Sequence, residues 1–160
     1  MFFECKKLSD ISPIKNWNVS KVKDFSYMFN NCSLLNDIKP LENWNVSNAK
    51  NLQMMFSHCI LSDLTPLRNW NVSNVEDFSY MFCSCSMIKD LKPLEKWNVA
   101  KGQTFELMFA DLELVTDISP LKNWKVADAN VGHMFRGLKS LKNKNVLKGW
   151  PINFEYMFKD

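Results

Sequence analysis

Long apolar runs are missing from these 160 residues. No stretch approaches the roughly 18 apolar residues of a membrane span, and the opening Met1-Phe2-Phe3-Glu4-Cys5-Lys6-Lys7 has no apolar run of signal-peptide length. This predicts a soluble chain, cytoplasmic as written, whose five cysteines stay reduced; a fragment of an exported or viral protein would instead belong at a cell surface or virion. Concentrated charge is also lacking. A net charge of +3 without a Lys/Arg stripe argues against a nucleic-acid partner. Histidine is scarce, with His58 and His133 at unrelated repeat positions, and no Ser or Cys recurs with a His at nucleophile–base spacing. The expectation is therefore no catalytic residue, no cofactor and no enzyme. Cys83-x-Cys85 with His58 has neither the spacing nor the four ligands of a structural zinc site, so no metal is expected.

What is present is a period. Tryptophan falls at 17, 44, 70, 97, 124 and 150, Met-Phe at 1, 28, 55, 81, 108, 134 and 157, and proline at 13, 40, 66, 93 and 120. Three markers keeping one step of 26 or 27 residues predict a solenoid. With 46% apolar and 23% charged residues there is ample material for a packed core. The chain divides into a partial unit 1–12, repeats 13–39, 40–65, 66–92, 93–119 and 120–146, and a degenerate unit 147–160. Trp150 to Met157 is 7 residues instead of 11, and Pro151 replaces the Asn of the other copies, which would blunt a terminal strand edge.

Within a unit, Trp44-Asn45-Val46 alternates as a short strand, with Asn45 facing away from the core. Ser47, and Ser20 and Ser73 in other units, suit a helix N-cap, and Glu76 would complete a capping box with Ser73. Val75, Phe78, Met81, Phe82 and Cys85 then fit one face of a helix. Asp37-Ile38-Lys39-Pro40-Leu41 and its copies close the unit, the proline barring further helix and the Asp capping the turn. The predicted fold is an α/β solenoid, leucine-rich-repeat-like, with parallel short strands on the concave face and helices on the convex face, in about six units.

The Trp70-Asn-Val-Ser-Asn-Val-x-x-Phe78-x-x-Met81-Phe82-x-x-Cys85 core and its copies resemble the BspA-like bacterial surface proteins with a 26-residue repeat, relatives of the leucine-rich repeats. The resemblance covers essentially the whole chain and implies a surface or adhesion role without catalysis.

Rows of residues at one repeat position are the candidate surfaces. Asn18, Asn45, Asn71, Asn98 and Lys125 line the expected concave side, polar and low in charge, and suit a hydrogen-bonding groove for a protein or glycan. Tyr27, Met54, Tyr80, Leu107, His133 and Tyr156 precede Met-Phe and form a convex stripe, largely apolar or aromatic. Cys5, Cys32, Cys59 and Cys85 read as small buried residues, since helices ~8–10 Å apart exceed the ~7 Å limit for a disulfide. Asp10, Asp37, Asp63, Asp90 and Asp117 read as turn caps rather than calcium ligands. Arg136, Lys139, Lys142, Lys144 and Lys148 make one end basic, as a solvated face. Two functions follow: an interaction protein recognising a protein or glycan through its repeat faces, or a structural protein that stacks end to end as a homo-oligomer into filaments.

Overall fold

The computed structural model describes residues 1–150 and 154–159. Its units stack one on the next through a parallel backbone ladder, but the ladder does not lie where the strand was expected. The bridges run Asp24, Asn51, Asp77, Thr104, Asn130, at the start of the segment expected to be helical. From there every second N–H donates across to the next unit: Phe78 to the carbonyl of Thr104, Tyr80 to Glu106, Phe82 to Met108 and Ser84 to Ala110, at 2.8–3.0 Å. The intervening N–H groups close turns within the unit, Met81 to Phe78, Cys83 to Tyr80 and Cys85 to Phe82.

The predicted repeat helices are therefore absent from the described residues, whose α-helix is the short α1, Phe154–Phe158. Serial three-residue turns put Phe78, Met81, Phe82 and Cys85 inside just as a 3.6-residue period would, so the inward pattern did not discriminate between them. Trp44-Asn45-Val46 is likewise no strand; its Asn starts another turn. What remains of the expected fold is a solenoid with short parallel pairing on one side and turns elsewhere.

Three side-chain-capped turns build each unit. The side-chain Oδ1 of Asn45 accepts from the N–H of Ser47 at 3.1 Å, and Asn18, Asn71 and Asn98 repeat the bond. Asn51 and Asp77 accept from Gln53 and Ser79 at 2.8 Å. Asp37 accepts from Lys39, as Asp10, Asp63, Asp90 and Asp117 do from the second residue on, all at 2.8 Å. Asx turns of this kind explain why short polar residues punctuate the sequence. The Asp turns open short 3-10 segments, Ser12–Ile14, Lys39–Leu41, Thr65–Leu67, Lys92–Leu94 and Ser119–Leu121, each with proline in its first turn. Where that motif is lost, Asn143 caps Asn145 at 2.9 Å and Lys144–Leu147 forms the same turn. The expected capping box is replaced: Ser73 donates its N–H to Asn71, and Glu76 pairs with Lys50.

Stacking aligns identical side chains. Phe2, Phe29, Phe56, Phe82, Phe109, Phe135 and Phe158 form one column, consecutive rings 5.3–5.9 Å apart. The rings of Phe56, Phe82 and Phe109 are fully buried, each contributing about 1.5–3 kcal/mol of transfer free energy. Tryptophan ties the units together: the indole N–H of Trp44, Trp70, Trp97, Trp124 and Trp150 donates to a backbone carbonyl one unit back, at 3.0–3.3 Å. The inward thiols do the same, with Cys32, Cys59 and Cys85 donating to Phe2, Phe29 and Phe56 at 3.0–3.2 Å. Burial raises all three thiol pKa values, that of Cys59 to about 12. They are free and buried, though the helix-spacing argument against disulfides fails because the units stack at strand spacing. The edge role expected of Pro151 lies outside the described residues.

Candidate functional site

Two rows of the ladder hold left-handed backbone. Tyr27, Met54, Tyr80, Leu107 and His133 have φ of 52–57°, and Glu4, Asn31, His58, Ser84, Asp111 and Gly137 have φ of 57–70°. The second row is mostly of types that tolerate this region; the first is not. A bulky side chain held there costs on the order of 1–3 kcal/mol and persists only because its surroundings over-determine it, here through ladder bonds on both sides.

Between the rows, one residue before each position of the second, lie Phe3, Asn30, Ser57, Cys83, Ala110 and Arg136. This row is large at its ends and small in the middle, and the dip forms a trough of about 550 Å³. Asn30, Ser57 and Cys83 are its buried floor. Met54 and Tyr80 border one side, and Asn31, His58, Ser84 and Asp111 the other. At the far end Arg136 Nη2 donates to Asp111 Oδ2 at 3.0 Å, the pair half exposed. Hydrogen bonding to Asp111 raises the Arg136 pKa. Ser57 Oγ donates to the Cys83 carbonyl at 3.2 Å and Ser84 Oγ to Asp111 Oδ2 at 3.4 Å. Burial, then Glu106, raises the Tyr80 hydroxyl pKa, and burial raises that of Cys83. With both groups held protonated, the trough offers hydrogen-bond donors and an aromatic wall rather than a nucleophile.

The structure thus splits the predicted stripe. Tyr27 is 37% exposed and packs edge-on to Phe3. Met54 and Tyr80 line the trough, whereas Leu107 is buried with Cys83 and Ala110. His133 packs edge-on to Tyr156, 4.9 Å between centroids, at the α1 end. All six sit on the ladder side or α1 rather than on convex helices. The predicted Asn row, Asn18, Asn45, Asn71 and Asn98 with Lys125, is exposed, but on turns rather than a strand face. Each Asn oxygen accepts its own Asx-turn bond, which leaves the amide N–H₂ as the outward polar group.

Sequence reasoning missed the floor row, which was visible as Ser57, Cys83 and Ala110 between bulkier Asn30 and Arg136. It also missed an exposed apolar row, Leu34, Ile60, Met87 and Leu114, just before the inward Leu35, Leu61, Ile88 and Val115. Among the described residues no group of three His, Cys, Asp or Glu could hold a metal, and no helix is long and apolar enough to cross a membrane.

A family profile described as "Mycoplasma protein of unknown function, DUF285" matches residues 1–116 and, again, 60–160. The chain belongs to that family. No curated protein matches it by sequence. Among solved structures it is similar to an internalin C2 from Listeria monocytogenes str. 4b F2365, with a TM-score of 0.54 at 19% identity, over 88% of this chain and 52% of that one. The chain therefore spans about half the length of that relative. The likeness supports a leucine-rich-repeat-like solenoid fold.

Proposed function

We propose that this DUF285 solenoid is a non-enzymatic recognition protein that binds a protein or glycan through its ladder face, in the manner of a BspA-like surface repeat. One observation carries the reading: Tyr27, Met54 and Tyr80 are held half-exposed in a backbone region that bulky side chains avoid. Strain concentrated in one exposed row fits a surface kept for binding better than one kept for stability. The stacked ladder supplies rigidity, so a partner meets preorganised side chains at little ordering cost. The Asn row is the weaker surface, because each of its oxygens is already engaged.

The test exposes the full chain to a printed glycan array and to a displayed library of linear and folded peptides. Binders whose affinity falls about tenfold or more in Tyr80→Ser support the reading. No binder in either arm, together with concentration-dependent polymers in sedimentation, overturns it in favour of end-to-end self-assembly.

A further inference from the structure

We propose that the trough between the two left-handed rows is a glycan subsite for an unbranched, uncharged chain of β-linked pyranose rings, lying along the stacking direction with about one ring per repeat unit. The inference rests on the recognition reading above and names its ligand class and residues.

Three features carry it, the first being register. The parallel units repeat at ~4.8 Å along the stack. A β-linked pyranose joined across its ring spans four ring atoms and a bridging oxygen, on the order of 5 Å from bonds near 1.5 Å. An extended peptide presents same-side side chains every ~6.6 Å, and a polyproline helix every ~9.3 Å, so both fall out of step within two or three units. A peptide also cannot add as a strand, because the ladder N–H groups of the face are already donated to the next unit or to turns.

The second feature is polarity across the trough. One border, Met54 and Tyr80, is apolar and aromatic; the other, Asn31, His58, Ser84 and Asp111, consists of short hydrogen-bonding groups. A pyranose has the same division, with C–H groups on its faces and hydroxyls around its rim. The Tyr80 ring meets the C–H face and the opposite wall meets the hydroxyls. The third is charge. Arg136 and Asp111 neutralise one another at the end of the trough, which favours neither an anionic nor a cationic ligand. About 550 Å³ falls within the range of small-ligand sites, and small residues at Ser57 and Cys83 keep the floor open across the middle units.

The experiment titrates the full chain with cellotetraose and with the tetramer of N-acetylglucosamine, followed by calorimetry or amide-shift changes. The expected result is binding of at least one tetramer about tenfold more tightly than its dimer, with little gain beyond about five rings, since the trough is only a few units long. Tyr80→Ala weakens the tetramer about tenfold or more, Tyr80→Phe retains it, and Leu34→Ser on the separate apolar row leaves it unchanged. If Tyr80→Ala fails to fold, His58→Gly removes part of the opposite wall at a backbone position glycine tolerates, and must weaken the tetramer by several-fold. Absence of binding by either tetramer at millimolar concentration overturns the proposal, as does binding indifferent to both wall variants. Capture of linear peptides at the Tyr80 wall instead also overturns it, while leaving the recognition reading intact; glycan binding untouched by these variants removes the trough alone.

Discussion

The indole N–H of Trp70 reaches back one unit to the carbonyl oxygen of Leu41, 3.0 Å away, and the same oxygen accepts the backbone N–H of Trp44. One acceptor therefore closes a turn in its own unit and anchors the next. Trp70→Ala vacates a buried site and is expected to cost about 3–5 kcal/mol. Trp70→Phe keeps most of the volume and leaves Leu41 one bond, so its cost should be nearer ~1–2 kcal/mol. Urea denaturation of the two variants checks the ordering; a neutral Trp70→Phe would mean the inter-unit bond contributes nothing, and equal costs would mean the ring volume kept by Phe contributes nothing.

Ser84 holds a φ of 59° with a side chain that gains only long contacts, to Asp111 and to the Cys83 thiol. Ser84→Gly should be neutral or stabilising by up to about 1 kcal/mol, and Ser84→Val, branched at Cβ, destabilising by about 1–2 kcal/mol. The difference in melting temperature between these two variants measures the cost of the left-handed row directly.

Gly137 closes that row, where a Cβ would sit 2.4 Å from Asp111 Oδ1 at a φ of 70°. Gly137→Ala is expected to destabilise by about 1–3 kcal/mol and to displace Asp111 from Arg136. Loss of the pair should appear as a change in the Arg136 side-chain resonance; an unaltered resonance and melting curve would show that the backbone there yields without cost.

Acid sensitivity should come from the Asp turns. The backbone and side-chain hydrogen bonds of Ser12 to Asp10, of Thr65 to Asp63 and of Ser119 to Asp117 lower these carboxyl pKa values below the usual 3.8. A lowered folded-state pKa gives stability that is present above the unfolded value and lost as pH falls through the folded one. Stability contributed by these groups should be unchanged from neutrality to about pH 5 and decline below about pH 4. Asp63→Asn keeps an acceptor for Thr65, as Asn45 does for Ser47, and should reduce the slope of that decline while sparing neutral stability. An unchanged slope would remove Asp63 as a contributor.

Thiol labelling separates the surface from the core. Cys5 is exposed, while Cys32, Cys59 and Cys85 are buried with raised pKa values. At pH 8 an alkylating reagent should modify Cys5 quickly and those three only on unfolding, because the thiolate is the reactive form. Mass analysis of the native labelling reaction decides it; rapid modification of Cys59 would contradict the packing.

The repeat length, the inward residues and the Asp-Pro turns were legible in the sequence because each is a one-residue pattern copied several times. Trp70, Val72, Phe78, Met81 and Phe82 are buried as read. The backbone between them was not legible. Spacings of three and four residues suit a helix and a string of tight turns equally well, and the choice is made by ladder bonds to residues 26 away, such as Tyr80 to Glu106. The telling sign was the second left-handed row, where Asn31, His58, Asp111 and Gly137 share a position few other residue types occupy comfortably. Tyr80, expected to point outward, is partly buried at the trough wall; Leu107, from the same row, is buried, because the small Ala110 and Cys83 beside it let it sink inward.

The Phe column has a consequence for how such a molecule changes over generations. Because each ring stacks on its counterparts in the units above and below, a whole unit can be duplicated or lost at any step, and every surviving neighbour still finds a like surface to rest on. Steps of both 26 and 27 residues keep the rings in register, so a single-residue difference is absorbed in the turns between them. Span along the stack is therefore heritable as a whole number, adjustable like the teeth of a comb, while what each tooth presents is set separately by the residue at a single position.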